Sequence, residues 1–78
     1  MELIEVTARF DMEGRVTPLQ IIWKGRNVRI DSTGRSWEAE DGRHILAMIP
    51  GDRAIELVFV PRESRWYLRL LGTGSAMA

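Results

Sequence analysis

Two short apolar segments in the last third of the sequence constrain its fold most strongly. They cover residues 54–60 and 65–71, and the breaker cluster Pro61-Arg62-Glu63-Ser64 separates them. Both segments are rich in Val, Phe, Trp and Tyr, and each is too short for most helices. The pattern therefore predicts a β-hairpin in which Val60 faces Arg65 across a four-residue loop.

This predicted register assigns alternate side chains of the hairpin to two faces of a sheet. The first face is apolar throughout, and its cross-strand pairs are Phe59 with Trp66, Leu57 with Leu68, and Ile55 with Leu70. The second face is mixed, and its pairs are Val58 with Tyr67 and Glu56 with Arg69. We therefore expect the first face to pack into the core.

Further turn signals divide the rest of the chain into strands. Residues 2–10 alternate apolar and polar side chains, which is typical of a half-buried strand. Two-residue turns at Gly25 and at Asp41-Gly42, and a loop over residues 50–53, mark three more hairpins. The sequence predicts an all-β fold of about six antiparallel strands in a meander, curled into a small half-open barrel or roll.

The turns also predict which side chains of the middle strands face inward. With Asp41-Gly42 as the turn, Trp37 faces Leu46, and with a four-residue loop over residues 50–53, Leu46 faces Leu57. The predicted core face of these strands consists of Trp37, Leu46, Met48, Ile55, Leu57, Phe59, Trp66, Leu68 and Leu70.

The hairpin around Gly25 adds a second set of inward-facing positions. A two-residue turn at Lys24-Gly25 or at Gly25-Arg26 gives the same alternation. Pro18 lacks a backbone N–H, so we expect a bulge or a sheet edge there. The shared face of this hairpin consists of Leu19, Ile21, Trp23, Val28 and Ile30.

The length and composition indicate one small domain. We assign residues 1–71 to a single β domain and residues 72–78, which are mostly small, to a flexible tail. There is no cysteine, which excludes disulfides and thiolate metal sites. Glu2 and Glu5 interrupt the start of the sequence, and no apolar stretch approaches the roughly 20 residues of a membrane span. We predict a cytoplasmic protein without membrane contact.

The second face of the hairpins suggests a surface for a protein partner. In the predicted register Ile45, Val58 and Tyr67 form an apolar row across three strands, and Glu56 and Arg69 lie beside it as a polar rim. We predict contact with a protein partner or with a second copy, as in a homodimer. The structural alternative is that the first strand, or the curvature of the sheet, covers this row.

A cluster of cations around one aromatic residue suggests the alternative function. Lys24, Arg26 and Arg29 surround Trp23, and an aromatic ring among cations can stack a base while the cations contact phosphates. The eleven acidic residues balance the eleven basic ones, which removes long-range attraction to nucleic acid. Nucleic-acid binding is therefore the second prediction.

No set of residues in the sequence is typical of an active site. His44 is the single histidine, and it lacks the companions that a metal site or a nucleophilic mechanism needs. We predict a non-enzymatic protein without cofactor or metal.

Residues 15–71 resemble a group of small uncharacterised bacterial β proteins. The resemblance rests on the patterns Pro…Trp-x-Gly-Arg, Gly-Arg-x-Trp-Glu and Arg-Trp-Tyr-Leu. The first and the last pattern are also similar to a domain of unknown function appended to some Y-family translesion DNA polymerases. The resemblance implies a compact β module that docks onto a partner. The residues that carry it are Trp23, Gly25, Arg26, Trp37, Glu38, Trp66 and Tyr67.

Overall fold

Seven antiparallel strands make up most of residues 1–73, the part of the chain that this computed structural model describes. The all-β prediction is confirmed, with seven strands where about six were expected. The last strand runs two residues beyond the predicted end at Leu71, and the rest of the predicted tail, residues 74–78, lies outside the described residues. The strands are β1 (Glu2–Phe10), β2 (Val16–Trp23), β3 (Arg26–Arg29), β4 (Ser32–Ala39), β5 (Gly42–Ile49), β6 (Arg53–Val60) and β7 (Arg65–Thr73).

The strands form one sheet in the order β3-β2-β1-β7-β6-β5-β4. Two meanders meet where β1 pairs with β7, and Ile4 lies opposite Trp66 there. The two outermost strands, β3 and β4, are joined by only Ile30 and Asp31, and the Asp31 N–H donates to the Met48 carbonyl at 2.8 Å. So short a connection between opposite edges requires the sheet to curl, which confirms the predicted half-open barrel.

The register of the β6–β7 hairpin is as predicted. Val60 lies opposite Arg65, and the pairing continues in step to Ile55 opposite Leu70. The ladder is then irregular between Ala54 and Ile55. Leu70, which was predicted in the core, is 50% exposed at this irregular end of the hairpin.

The predicted register between β5 and β6 is wrong by one residue. Ile49 lies opposite Arg53, so the loop has three residues, 50–52, and not four. Because side chains alternate along a strand, this difference exchanges the two faces of β5. Ile45, Ala47 and Ile49 are therefore buried in the core.

The predicted core positions of β4 and β5 lie on the outer face instead. Leu46 and Met48 are half-buried there, and Trp37 is 36% exposed. The β4–β5 turn is also displaced, since Ala39 pairs with Gly42 and Trp37 with His44. A displacement of two residues keeps each side chain on the same face, so the one-residue error in the β5–β6 loop accounts for the exchange.

The β2–β3 hairpin turns at Lys24-Gly25, where both residues have positive φ angles of 53° and 76°. Such a pair is typical of the turn that matches the twist of a hairpin. The expected bulge is present, because Ala8 pairs with Pro18 while Thr7 pairs with Gln20. The extra residue is Leu19, which is 47% exposed. The prediction that Leu19 faces inward is therefore wrong.

The core fills the concave side of the curled sheet. At one end Phe59 packs against Phe10 and Trp66, with ring centroids 5.6 and 4.9 Å apart. At the other end lies Trp23, which is 7% exposed. The buried core residues are Ile4, Ile21, Trp23, Ile45, Ala47, Ile49, Ile55, Leu57, Trp66 and Leu68.

Candidate functional site

The structure does not bring the predicted apolar row together. Ile45 lies opposite Leu57 on the core side and is 3% exposed. Val58 and Tyr67 pair on the outer face, but Val58 is fully buried and Tyr67 is half-buried. These three residues therefore offer no continuous contact surface, and a partner-binding role for any of them stays a prediction.

A charged network, not an apolar row, lies beside Val58 on the outer face. Glu56 was expected on the surface, yet it is 3% exposed. Its carboxylate accepts from Arg69 Nη2 and from His44 Nδ1, each at 2.5 Å. His44 Nε2 lies 2.7 Å from Asp41 Oδ1. Three strands and one turn are thus linked through a single buried carboxylate and an imidazole.

The pKa values in this network favour the charged forms. Burial acts to lower the pKa of His44, but the hydrogen bonds to Asp41 and Glu56 outweigh it and raise the pKa. Burial acts to raise the pKa of Glu56, and the hydrogen bonds from His44 and Arg69 lower it on balance. The hydrogen bond from His44 also lowers the pKa of Asp41.

The His44 ring is held by contacts to its two nitrogens and to its face. Both ring nitrogens of His44 face carboxylates, so neither is free to take a proton from a substrate. Its ring stacks on Trp37 with centroids 5.2 Å apart and planes inclined by 20°. Within residues 1–73, no group of three or more His, Asp or Glu side chains is placed to hold a metal ion.

A cleft at one end of the barrel gathers the predicted nucleic-acid residues. It has a volume of about 780 Å³ and lies between the β2–β3 turn and the β5–β6 loop. We call it the basic cleft, because four of the side chains that line it are cationic and, among the described residues, none of those lining it is acidic. The lining residues are Trp23, Lys24, Arg26, Asn27, Val28, Arg29, Ile49, Pro50 and Arg53.

Sequence reasoning missed Arg53, which belongs to a different hairpin from the other three cations. The curl of the sheet places Arg53 Cζ 4.8 Å from the centroid of the Trp23 ring, and Lys24 Nζ lies 5.1 Å from the same centroid. Both distances fit cation–π contacts. The sequence identified Arg53 only as the last residue of the predicted loop over residues 50–53, because its contact with Trp23 depends on the long-range curvature of the sheet.

The basic cleft is weakly neutralised by neighbouring acids. Arg29 Nε lies 3.9 Å from Asp31 Oδ1, and the two side chains are 81% and 43% exposed. An ion pair this long and this solvated contributes little and leaves the cation able to bind another anion. For Lys24, Arg26 and Arg53 the described residues show no ion pair within 4.0 Å.

Comparison of this chain with protein-family models, with curated proteins and with solved structures finds no match. The resemblance to the bacterial β proteins and to the polymerase-associated domain therefore stays a prediction. Residues 1–73 contain no helix long and apolar enough to cross a membrane.

Proposed function

We propose that the protein is a cytoplasmic, non-enzymatic module that binds nucleic acid through the phosphates at the basic cleft. The observation that carries this proposal is that Lys24, Arg26, Arg29 and Arg53 all line one cleft. A cleft lined by one sign of charge concentrates ligands of the opposite sign.

The zero net charge of the chain does not oppose this proposal. Salt screens charges beyond about 10 Å at 0.1 M, so a ligand in the cleft interacts mainly with the cations that line it. Acidic residues elsewhere on the barrel reduce long-range steering but leave these short contacts intact. We therefore expect moderate affinity with a strong dependence on salt.

The test is fluorescence anisotropy of a short labelled oligothymidylate at low salt, with the wild type and with R26E/R29E. Charge-assisted contacts are each worth roughly 1.5–3 kcal/mol, so reversing two charges should weaken binding about a hundredfold or more. The matched control is R62E/R65E, which makes the same charge change at two exposed residues near the β6–β7 loop, at the far end of the barrel. An equal loss in both variants, or no binding by the wild type, would reject the proposal.

Protein contact is the second candidate function, and a different apolar row supports it. Leu3 lies opposite Tyr67 on the outer face, and Ile22 of the neighbouring strand faces the same way, diagonal to Leu3 and opposite the exposed Glu5. Leu3 and Ile22 are 58% and 37% exposed. Exposed apolar rows on small proteins are typical of contact surfaces, and we propose a second copy of the chain as the partner.

Sedimentation at micromolar concentration tests this second candidate. The wild type should sediment as a dimer and Leu3→Glu as a monomer, because a charge in the row opposes its burial. Leu19→Glu is the control, since Leu19 is similarly exposed but lies in the bulge of β2. A monomeric wild type removes the candidate.

A further inference from the structure

The indole of Trp23 occupies a position that restricts what the basic cleft can recognise. The side chain lies in the wall of the cleft and is 7% exposed, and Arg53 and Lys24 lie within 4.8 and 5.1 Å of its ring centroid. Stacking a base requires a free aromatic face. Burial and the two cations leave the ring little free surface. Trp23 therefore contacts Lys24 and Arg53, whereas the sequence suggested that its ring would stack on a base.

The cleft is also rich in donors and poor in acceptors. Its four cationic side chains can only donate hydrogen bonds. The indole N–H of Trp23 is a further donor, buried and without a partner among the described residues. Of the described side chains that line the cleft, Asn27 alone can accept a hydrogen bond. Among the base edges, only those that present acceptors, such as guanine O6 and N7, match a surface of donors, whereas every phosphate along a strand presents acceptors. The donor-rich cleft therefore favours contacts to phosphates, which do not depend on the sequence.

The size and shape of the cleft favour a single strand. A volume of about 780 Å³ lies in the range of small-molecule sites, and the cations come from two hairpins on either side of it. A flexible single strand can enter a concave site of this size. A duplex presents its phosphates on a rigid convex surface, which fits a concave site less well.

We infer that the basic cleft binds the sugar–phosphate backbone of a single strand without reading its bases, and that Trp23 acts as a positioning residue that holds Arg53 and Lys24 over the cleft. This inference rests on the proposed nucleic-acid function. It predicts that DNA, RNA and a backbone without bases bind alike.

The first experiment compares labelled oligothymidylate, oligouridylate and an abasic oligodeoxynucleotide of the same length by anisotropy at low salt. We expect the three dissociation constants to agree within about twofold, because phosphate contacts carry no sequence information. A loss of about tenfold with the abasic strand would overturn the inference and leave the proposed function standing. If none of the three strands binds, the proposed function itself fails.

The second experiment measures the salt dependence of binding with Arg53→Gln. For single strands the slope of log K against log salt is about 0.7 per phosphate contact, so four contacts predict a slope of about −2.8 and three predict about −2.1. Arg62→Gln, at an exposed loop position, should keep the wild-type slope. A folding defect alone would not change this slope by the roughly 0.7 expected for one phosphate contact. An unchanged slope in Arg53→Gln would overturn the inference.

The role of Trp23 is tested by comparing Trp23→Phe with Trp23→Leu. Phenylalanine keeps an aromatic face for the two cations, while leucine fills part of the space without one. We expect Trp23→Phe to bind the abasic strand several-fold more tightly than Trp23→Leu, with thermal melting used to select temperatures at which both are folded. Equal binding by the two folded variants would contradict the positioning role. If neither variant folds, Arg53→Lys decides, because the weaker ring contact of lysine should reduce affinity and an unchanged affinity would contradict the role.

Discussion

His44 Nδ1 lies 2.5 Å from Glu56 Oε2, and this contact joins β5 to β6 on the outer face of the sheet. The other ring nitrogen lies 2.7 Å from Asp41 Oδ1. A neutral imidazole has only one N–H, so only the protonated ring can donate to both carboxylates. The network is therefore complete when His44 is positively charged and both acids are ionised.

The stability of the fold should decrease as the pH rises above neutrality. The pKa of His44 in the folded chain is raised above its ordinary value of 6.5, with burial opposing the shift and the two carboxylates causing it. Protonated His44 thus stabilises the fold fully below pH 6.5, and this contribution is lost as the pH rises through the raised pKa. Thermal melting between about pH 6 and pH 9 measures the effect.

On the acid side the sign is reversed. The pKa values of Asp41 and Glu56 are lowered from ordinary values of 3.8 and 4.5, so their contribution to stability is present above those values and is lost as the pH falls through the folded-state pKa.

The control for the predicted alkaline decrease in stability is His44→Gln, which cannot titrate and should melt at a nearly constant temperature between about pH 6 and pH 9. An equal alkaline decrease in this variant would show that another group is responsible.

Neutralising the buried acid should cost more stability than neutralising an exposed one. Glu56 is 3% exposed and accepts from two partners, so Glu56→Gln should lower the free energy of unfolding by about 1–3 kcal/mol. Glu38→Gln is the control, because Glu38 pairs with Arg43 while 66% exposed and should cost under about 1 kcal/mol. Urea unfolding measures both, and similar losses would indicate that Glu56 is hydrated in solution.

Truncations on β5 should distinguish its two faces. Ile49 is 2% exposed in the core, and its neighbour Met48 is half-buried on the outer face. Ile49→Ala should therefore lower the free energy of unfolding by about 2–5 kcal/mol and Met48→Ala by clearly less. Urea unfolding gives the order directly. The register predicted from the sequence requires the opposite order, so this pair of variants tests the one-residue difference.

The lengths of two loops explain why the register of the β6–β7 hairpin could be predicted and the register of the β5–β6 hairpin could not. The cluster Pro61-Arg62-Glu63-Ser64 has the length that its composition suggests, so the register of β6 and β7 follows from it. Residues 50–53 are also four polar or turn-forming residues, but Arg53 joins β6, so the β5–β6 loop keeps only three of them. Gly51 and Asp52 complete the turn with φ angles of 89° and 58°, conformations that a sequence allows without requiring.

In the candidate site, too, contacts within one hairpin could be predicted from the sequence and contacts between hairpins could not. Trp23, Lys24 and Arg26 belong to one hairpin, and their proximity could be predicted from the Lys24-Gly25 turn. Arg53 reaches Trp23 only because the sheet curls, and the central pairing of β1 with β7 has no signal in a single sequence. Local turn chemistry thus predicts pairs within hairpins, whereas curvature and the pairing of distant strands decide which hairpins meet.

The most specific steric prediction concerns Gly42, the first residue of β5. A Cβ atom there would collide with the backbone carbonyl of Phe59, and the residue has a φ angle of 148°, which strains any other side chain. Gly42→Ala should lower the free energy of unfolding by about 1–3 kcal/mol. In Gly34→Ala the new Cβ would lie 4.0 Å from the Leu46 carbonyl, an ordinary contact, so stability should change by well under about 1 kcal/mol. Urea unfolding compares the two variants, and an equal effect would mean that the backbone around Gly42 moves away from Phe59 at little cost.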